Sequence, residues 1–217
     1  MKLSVLSVNI GRVRVIGQLH GEDVLSAIAK APVEQQRIRV GALGLEGDAQ
    51  ADLSVHGGVD KAVYAYPADH WPWWQSAHAL ACAPARFGEN LTLEGADESD
   101  VAIGDRFRWG EALLEISQPR SPCFKLAMVA RQDIPGHMML SARSGWYLRV
   151  LEEGEAPVRD AAMRRVFESL GPNVRETFLA AHHGGASLEI LRRIHAAAAL
   201  SRSWRESFAK KIAAFPG

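Results

Sequence analysis

Cysteine, net charge and long apolar runs are all scarce in this 217-residue sequence. Its two cysteines, Cys82 and Cys123, are too few for a disulfide framework and favour a reducing compartment. The 25 basic and 25 acidic residues cancel, which argues against a nucleic-acid polymer or a membrane surface as partner. No run approaches the roughly 18 apolar residues of a membrane-spanning helix, and the first residues lack the apolar core of a signal peptide. We therefore expect a cytoplasmic protein without a membrane partner.

Fingerprints of nucleotide cofactors are missing too. No Gly-x-Gly-x-x-Gly motif follows a predicted strand, so the sequence has no site typical of a bound nicotinamide or flavin dinucleotide. If the protein catalyses a redox reaction, we expect its electrons to come from a separate protein.

Short apolar runs separated by glycine and proline dominate the chain before Gly171, and they predict strands. An alternating segment over 103–109, a turn at Gly110-Glu111 and a second apolar segment predict a hairpin that leads into Cys123. With few helices between the strands, the pattern favours a mainly β (α+β) fold, a largely antiparallel barrel over residues 1–168. Three short amphipathic segments then predict a small C-terminal helical module over residues 169–217.

Two local features refine these predictions. The composition of Asp23–Ala31 favours one or two helical turns, ended by a proline. Asn173 with Glu176, and Ser203 with Glu206, have the spacing of helix-capping boxes. We expect them to begin the first and the third C-terminal helix.

Cys123 is the residue that the sequence marks most strongly for chemistry. It follows Gln118-Pro119-Arg120-Ser121-Pro122 at the end of a predicted strand, and helix-forming residues begin directly after it. Positive charge from Arg120 and Lys125, and the unpaired amides of a helix start, both favour a thiolate. The alternative is a cysteine that serves only as a small buried apolar residue. The rigid prolines and the flanking cations favour the reactive interpretation.

A glycine-rich segment supplies the second candidate site. His56-Gly57-Gly58 follows Gly47-Asp48, and Lys61 lies three residues beyond the glycine pair. Consecutive glycines can present backbone amides to an anion, and the lysine adds positive charge. The alternative is a tight turn between two strands. Taken with Gly47-Asp48, the segment favours a cradle for an anionic ligand.

Two other kinds of site use residues that the chain contains. A zinc site could draw its ligands from Asp52, His56, His70 and His78. The spacing of these residues fits no standard zinc motif. A cysteine–histidine hydrolase would place His56 or His137 beside Cys123, and the sequence has no local signature of such an enzyme.

Three stretches together resemble the MOSC-domain family, which is named after the C-terminal domain of molybdenum cofactor sulfurases. They are Gly47-Asp48 running on to 56–62, then 87–91 (Phe-Gly-Glu-Asn-Leu), then 118–123 (Gln-Pro-Arg-Ser-Pro-Cys). Further segments are similar to the YiiM-like branch of the family, namely 107–113, 144–146 and the tail around 200–204. The resemblance covers nearly the whole chain.

This resemblance implies a β-barrel that binds the molybdenum cofactor (molybdopterin) and whose cysteine, here Cys123, ligates molybdenum or carries sulfur. A thiolate is a soft ligand of the kind that such a centre accepts. The pterin phosphate would be held by cations and backbone amides. The cofactor-binding residues that we predict are His56, Gly57, Gly58, Lys61, Asn90, Arg120, Ser121 and Lys125.

The YiiM-like branch is associated with reductive detoxification of N-hydroxylated compounds, notably N-hydroxylated purine bases. The resemblance thus implies a molybdenum-dependent oxidoreductase that acts on a small-molecule substrate with electrons from a separate flavoprotein reductase. A second function stays open. In it, the protein is a sulfur-carrier or cofactor-binding module, Cys123 bears a persulfide, and no redox turnover takes place.

Overall fold

The computed structural model describes residues 1–49, 57–130 and 132–215. Within these ranges the strands are β1 (Lys2–Ile10), β2 (Arg14–Leu19), β3 (Glu22–Ser26), β4 (Ala31–Pro32), β5 (Arg37–Gly41), β6 (Gly44–Leu45), β7 (Val63–Pro67), β8 (Leu91–Glu94), β9 (Arg106–Trp109), β10 (Ala112–Pro119), β11 (Trp146–Glu152), β12 (Gly154–Pro157) and β13 (Ala161–Phe167). The α-helices are α1 (Trp71–His78), α2 (Phe124–Ala130), α3 (Ile134–Ser141), α4 (Val174–His182), α5 (Leu188–His195) and α6 (Arg202–Ala213).

Seven of the strands close into a β-barrel. Their order around the barrel is β1, β8, β7, β11, β10, β9 and β13, and β13 pairs with β1 again. Neighbours are antiparallel except β7 and β8, which run parallel. Closure pairs each of these strands on both sides, which satisfies backbone groups that an open sheet leaves exposed at its edges. The architecture confirms the predicted mainly β barrel.

The side chains that face the barrel interior are buried and apolar. In β1 the buried Leu3 and Val5 alternate with exposed residues, as expected for a strand with one face toward a core. Strand β10 is buried along its whole length. Trp109 and Trp146 belong to the same apolar cluster as Leu3 and Val5. Strand β10 of this buried wall leads directly into the loop that contains Cys123.

The predicted hairpin before Cys123 is present as β9 and β10. Its turn lies at Gly110, where φ is +60°, a left-handed backbone conformation that favours glycine. A side chain there would also collide with the backbone, because its Cβ would lie 2.5 Å from the carbonyl oxygen of Glu155. Gly110 therefore allows both the tight turn and the close approach of β12.

The predicted helical turns over Asp23–Ala31 are wrong. The chain forms β3 there, which pairs antiparallel with β2 from Arg14 opposite Ser26 to Leu19 opposite Glu22. Helix propensity is a weak preference, and the hydrogen bonds and packing of a hairpin override it here. The two strands form a sheet of their own, separate from the barrel.

The three predicted C-terminal helices are present as α4, α5 and α6. Asn173 begins α4 as expected, since its side chain accepts a hydrogen bond of 2.7 Å from the amide of Glu176. The capping prediction for α6 is wrong, because Ser201 and not Ser203 accepts the bond from the amide of Trp204, at 3.4 Å. The backbone amide of Ser201 donates to Ser117 of β10, which fixes the helix start earlier than the capping box predicts.

The C-terminal helices pack directly on the barrel. Val174, Leu191, Trp204 and Phe208 are buried in the same apolar cluster as the barrel interior. Arg149 of β11 adds a polar link, because its guanidinium donates 2.8 Å to the carbonyl oxygen of Ala199. No helix in the described ranges is long and apolar enough to cross a membrane.

The shared core predicts a large effect of a cavity in α6. Phe208 is about 1% exposed, and Phe208→Ala should lower the free energy of unfolding by about 3–5 kcal/mol, the usual loss for a buried phenylalanine. Because the helices share the barrel core, the variant should still unfold in one transition, followed by tryptophan fluorescence and circular dichroism in urea. Phe215→Ala is the matched control, since Phe215 is 38% exposed and its loss should cost less than about 0.5 kcal/mol. Two separate transitions in wild type would contradict this account.

Candidate functional site

A cleft lies where the barrel meets the β2–β3 hairpin and helix α2. It is lined by Ser26, Ala27, Ile28, Lys30, Asp48, Ala49, Lys61, Tyr64, Gly88, Asn90, Arg120, Cys123, Lys125 and Tyr147. Among the predicted site residues, the cleft brings together Lys61, Asn90, Arg120, Cys123 and Lys125. Segments that are far apart in the sequence thus meet around one thiol.

The remaining predicted residues lie elsewhere. Gly57 and Gly58 are not among the residues that line the cleft, although Gly58 directly precedes the short 3-10 turn that carries Lys61. Ser121 is exposed, and its hydroxyl lies 3.2 Å from Nε2 of His182 on helix α4. His56 falls outside the described residues.

The end of strand β10 positions Cys123. The strand ends at Pro119, the amide of Arg120 donates 3.2 Å to the carbonyl oxygen of Gly145, and α2 begins at Phe124. Cys123 is therefore held between a barrel strand and a helix, and it is partly buried. The other thiol, Cys82, lies apart from the cleft, and burial raises its pKa to about 11. A raised pKa disfavours a thiolate at Cys82 at neutral pH.

Arg120 is a buried cation, only 4% exposed. Its guanidinium carbon lies 4.7 Å above the ring of Tyr64, and one guanidinium nitrogen lies 3.7 Å from the sulfur of Met138. Burial opposes the charge, but the acidic groups of Tyr64, Tyr147 and Cys123 outweigh it, so the pKa of Arg120 is raised. No carboxylate of the described residues forms an ion pair with it. An anion that enters the cleft would meet a fixed, desolvated positive charge.

Lys30 is a cleft residue that the sequence prediction did not include. Its ammonium group forms an ion pair with Asp48, and both side chains are more than nine-tenths buried. Burial lowers the pKa of Lys30, while the charge of Asp48 opposes that effect. In the sequence, Lys30 is only a lysine within the apolar run before Pro32. Its place beside Cys123 becomes visible only in the folded chain.

Asp48 and Asn90 both line the cleft and are hydrogen-bonded to each other. One carboxylate oxygen of Asp48 accepts 2.7 Å from the amide of Gly11, and the other accepts 2.8 Å from the side-chain nitrogen of Asn90. The same amide group of Asn90 donates to the carbonyl oxygen of Asn9 at 3.1 Å, and its oxygen accepts from the amide of Tyr64 at 3.1 Å. Asn90 thus ties β1, β7 and the Asp48 segment together, which explains its place in a predicted motif.

Charge in the cleft is strongly one-sided. Four cationic residues line it, and Asp48 is the one carboxylate among the described lining residues. Burial lowers the pKa of Lys61, partly offset by the neighbouring Asp60. The ammonium group of Lys125 donates 3.1 Å to the carbonyl oxygen of Leu25. Such an excess of positive charge in a concave site favours an anionic ligand.

The structure does not support the cysteine–histidine arrangement through His137. The imidazole of His137 stacks on His78, with ring centroids 3.7 Å apart, and both line a separate cavity that does not contain Cys123. The described residues also contain no group of three or more histidine, cysteine, aspartate or glutamate side chains that could hold a metal ion. Two of the four possible zinc ligands, Asp52 and His56, lie outside the described residues.

Comparison with known proteins identifies the family. The family model of the MOSC domain matches residues 52–162. This chain belongs to the MOSC-domain family. Protein YiiM of Escherichia coli (strain K12) is 40% identical over 199 residues, which are 89% of this chain and 88% of that protein. The crystal structure of YiiM from Geobacillus stearothermophilus matches with a TM-score of 0.81 and 32% identity, over 97% of this chain and 99% of that one. The chain is thus a YiiM-like MOSC protein.

A longer fungal relative contains the same region. A protein named Reductase from Gibberella moniliformis (strain M3125 / FGSC 7600) is 36% identical over 157 residues. The match covers 69% of this MOSC protein but only 27% of the fungal protein. The shared region is therefore one part of a larger chain in that fungus.

Glu89 supports the loop that carries Asn90 into the cleft. Its buried carboxylate accepts hydrogen bonds from the amides of Ala85 (2.8 Å) and Phe87 (2.9 Å) and from the hydroxyl of Thr92 (2.8 Å). Burial raises the pKa of Glu89 to about 7 in spite of these donors. The carboxyl group therefore titrates near neutral pH in the folded protein.

This raised pKa predicts a measurable pH dependence of stability. The folded state binds the Glu89 proton more tightly than the unfolded chain, whose glutamate pKa is about 4.3. The resulting stabilisation is fully present below that value and is lost as the pH rises through about 7. Between about pH 5 and 8, wild type should lose about 2.5 kcal/mol more stability than Glu89→Gln in denaturant titrations. Glu94→Gln, at an exposed position of β8, should follow wild type. Parallel profiles for wild type and Glu89→Gln would refute the assignment.

Proposed function

We propose that this MOSC protein binds the molybdenum cofactor in the Cys123 cleft and reduces N-hydroxylated compounds, with electrons from a separate flavoprotein reductase. The observation that carries the proposal is the buried Arg120, a cation without a carboxylate partner among the described residues, in the same cleft as Cys123. A thiol ligand and an anion site next to each other are the two features that a phosphate-bearing molybdenum cofactor requires.

The lining residues fit that group. Cys123 offers a soft thiolate ligand for molybdenum, and Lys61, Arg120 and Lys125 supply charge for the pterin phosphate. Tyr64 and Tyr147 give the cleft an apolar wall.

The reaction converts a hydroxylamine, R–NHOH, with two electrons and two protons into the amine, R–NH₂, and water. The bound cofactor supplies the two-electron chemistry, and the protein binds, orients and shields the reactants. Tyr147 lines the cleft, and burial raises the pKa of its hydroxyl group, so it stays protonated at neutral pH. Its hydrogen bond with Arg120 holds the two side chains together at the cleft wall.

Two observations support a separate electron donor, one from the sequence and one from a relative. The chain has no dinucleotide fingerprint of its own. The fungal relative that shares this region is named Reductase, and most of its length lies outside the shared part. Both observations support a reductase that acts with this MOSC protein.

The proposal predicts that molybdenum content depends on Cys123 and not on Cys82. Protein made in a host that assembles the cofactor should contain molybdenum in wild type and in Cys82→Ser, and should lose most of it in Cys123→Ser. The loss removes a ligand and not packing volume, so the unfolding free energy of Cys123→Ser should stay within about 1 kcal/mol of wild type. Elemental analysis and reduction of an N-hydroxylated purine with dithionite as the reductant measure the two effects.

The same samples discriminate the alternative function. Equal molybdenum in both variants, or equal turnover of metal-free and metal-loaded protein, would contradict the proposal. A sulfur-carrier module would instead show a sulfur atom added to Cys123 by mass spectrometry, removable with cyanide, and no turnover of the hydroxylamine.

A further inference from the structure

A buried carboxylate outside the cleft is hydrogen-bonded to the loop that holds Arg120. Glu98 lies between β8 and β9, is about 1% exposed and is not among the residues that line the cleft. One of its carboxylate oxygens lies 2.6 Å from Nε2 of the buried His70, and the other accepts a hydrogen bond of 2.6 Å from the amide of Gly145. Both oxygens therefore have the partners that a buried carboxylate requires.

The loop between α3 and β11 holds Arg120 in two ways. The carbonyl oxygen of Gly145 accepts a hydrogen bond of 3.2 Å from the amide of Arg120, which extends the pairing of β10 with β11 beyond Pro119. The carbonyl oxygen of Ser144 accepts 2.8 Å from the hydroxyl of Tyr64, and the Arg120 guanidinium packs on the ring of this tyrosine. One loop thus fixes both the backbone of Arg120 and the aromatic ring beneath its side chain.

The position of Glu98 is fixed by two neighbouring elements. The amide of Arg175 in helix α4 donates 2.9 Å to the carbonyl oxygen of Glu98. His70 directly precedes helix α1, and its ring packs edge-on against Tyr66 with the centroids 5.7 Å apart. Because the backbone of Glu98 and its histidine partner are both held, the carboxylate is a fixed acceptor for the amide of Gly145.

We infer that Glu98 is a positioning residue for Arg120, and that it acts through the amide of Gly145. The inference rests on the proposed function, in which the Arg120 guanidinium holds the phosphate of the cofactor. A binding site keeps its affinity only while its groups are held within about 0.5 Å of the productive geometry. Without the Glu98 acceptor, the buried amide of Gly145 would lack a partner, and the loop would shift to find one. Arg120 would then lose its fixed place on Tyr64.

The test compares substitutions of Glu98 in the full-length, cofactor-free protein. Glu98→Leu keeps a similar volume but removes the acceptor. Glu98→Gln restores it, because its carbonyl oxygen can accept from Gly145 while its amide donates to Nε2 of a neutral His70. Glu98→Asp shortens the side chain by one methylene, so it cannot reach both partners, and it serves if Glu98→Leu does not fold. Phe208→Ala is the control for lost stability alone, since Phe208 lies in the core and does not line the cleft.

Two measurements are made on each protein. The ring current of Tyr64 shifts the NMR signal of the Arg120 Nε–H proton upfield, so this signal reports the position of the guanidinium without any ligand. Isothermal titration calorimetry gives the affinity for inorganic phosphate. Glu98→Leu should lose the upfield shift and bind phosphate about tenfold or more weakly, the usual effect of losing one charge-assisted hydrogen bond. Glu98→Asp should change in the same direction, and Glu98→Gln and Phe208→Ala should match wild type.

The outcomes separate this inference from the proposed function. Loss of the upfield shift in Glu98→Leu or Glu98→Asp, with recovery in Glu98→Gln and no change in Phe208→Ala, supports the positioning role even if wild type binds no phosphate. Absence of phosphate binding to wild type counts against the proposed function alone. An unchanged Arg120 signal in Glu98→Leu and Glu98→Asp, an equal loss in Glu98→Gln or Phe208→Ala, or an equal measurable phosphate affinity of wild type and Glu98→Leu overturns the inference. Glu98 would then serve only the packing of α1.

Discussion

Burying the guanidinium of Arg120 removes a full charge from water, and such a transfer costs several kcal/mol unless other groups compensate it. The described neighbours are the faces and hydroxyl groups of two tyrosines and a methionine sulfur, which stabilise the cation without neutralising it. The cleft around Arg120 thus keeps an unbalanced positive charge next to Cys123. Lys61 and Lys125 around the same cleft add to that imbalance, whereas the charge of Lys30 is balanced by Asp48, and the proposed cofactor site follows from this excess.

The barrel makes this arrangement possible because it fixes where distant segments meet. Strand β10 is buried along its length and delivers Arg120 and Cys123 to the end of the barrel wall. Asn90 ties the start of β8 to β1 and β7 through hydrogen bonds to the backbone, and to the segment that carries Asp48 through its carboxylate. The C-terminal helices pack on the barrel through a shared apolar core. The site therefore depends on long-range packing and not on any one loop.

Many of the strands and several of the cleft residues were predictable from the sequence, because the patterns that indicate them lie in short segments. Alternating apolar residues predicted β9 to β11, and the two prolines around Arg120 marked where β10 ends before Cys123. The cations at positions 120 and 125 were near the thiol in the chain, so their approach in space required no knowledge of the fold. The glycine-rich segment predicted Lys61 and the family resemblance added Asn90, and both residues line the cleft.

The errors and omissions have physical causes that a local pattern does not contain. Lys30 lies in the cleft because the segment after β3 folds back onto the barrel, and no nearby motif indicates that path. The helical turns expected over Asp23–Ala31 gave way to pairing with β2. Ser201, and not Ser203, caps helix α6, and the amide of Ser201 donates a hydrogen bond to the carbonyl oxygen of Ser117 in β10. Ser121 matches the motif, but its hydroxyl lies within hydrogen-bond distance of His182, and Ser121 is not among the residues that line the cleft.

The most direct test of the anion site is the thermal stability of Arg120→Met with and without inorganic phosphate, in cofactor-free protein at constant ionic strength. Phosphate should raise the melting temperature of wild type, because a ligand that binds only the folded state stabilises it. The variant should lose that increase, because the cation that would bind the phosphate has been replaced by an apolar side chain. An equal phosphate-induced increase in both proteins would contradict the claim that Arg120 makes this cleft an anion site.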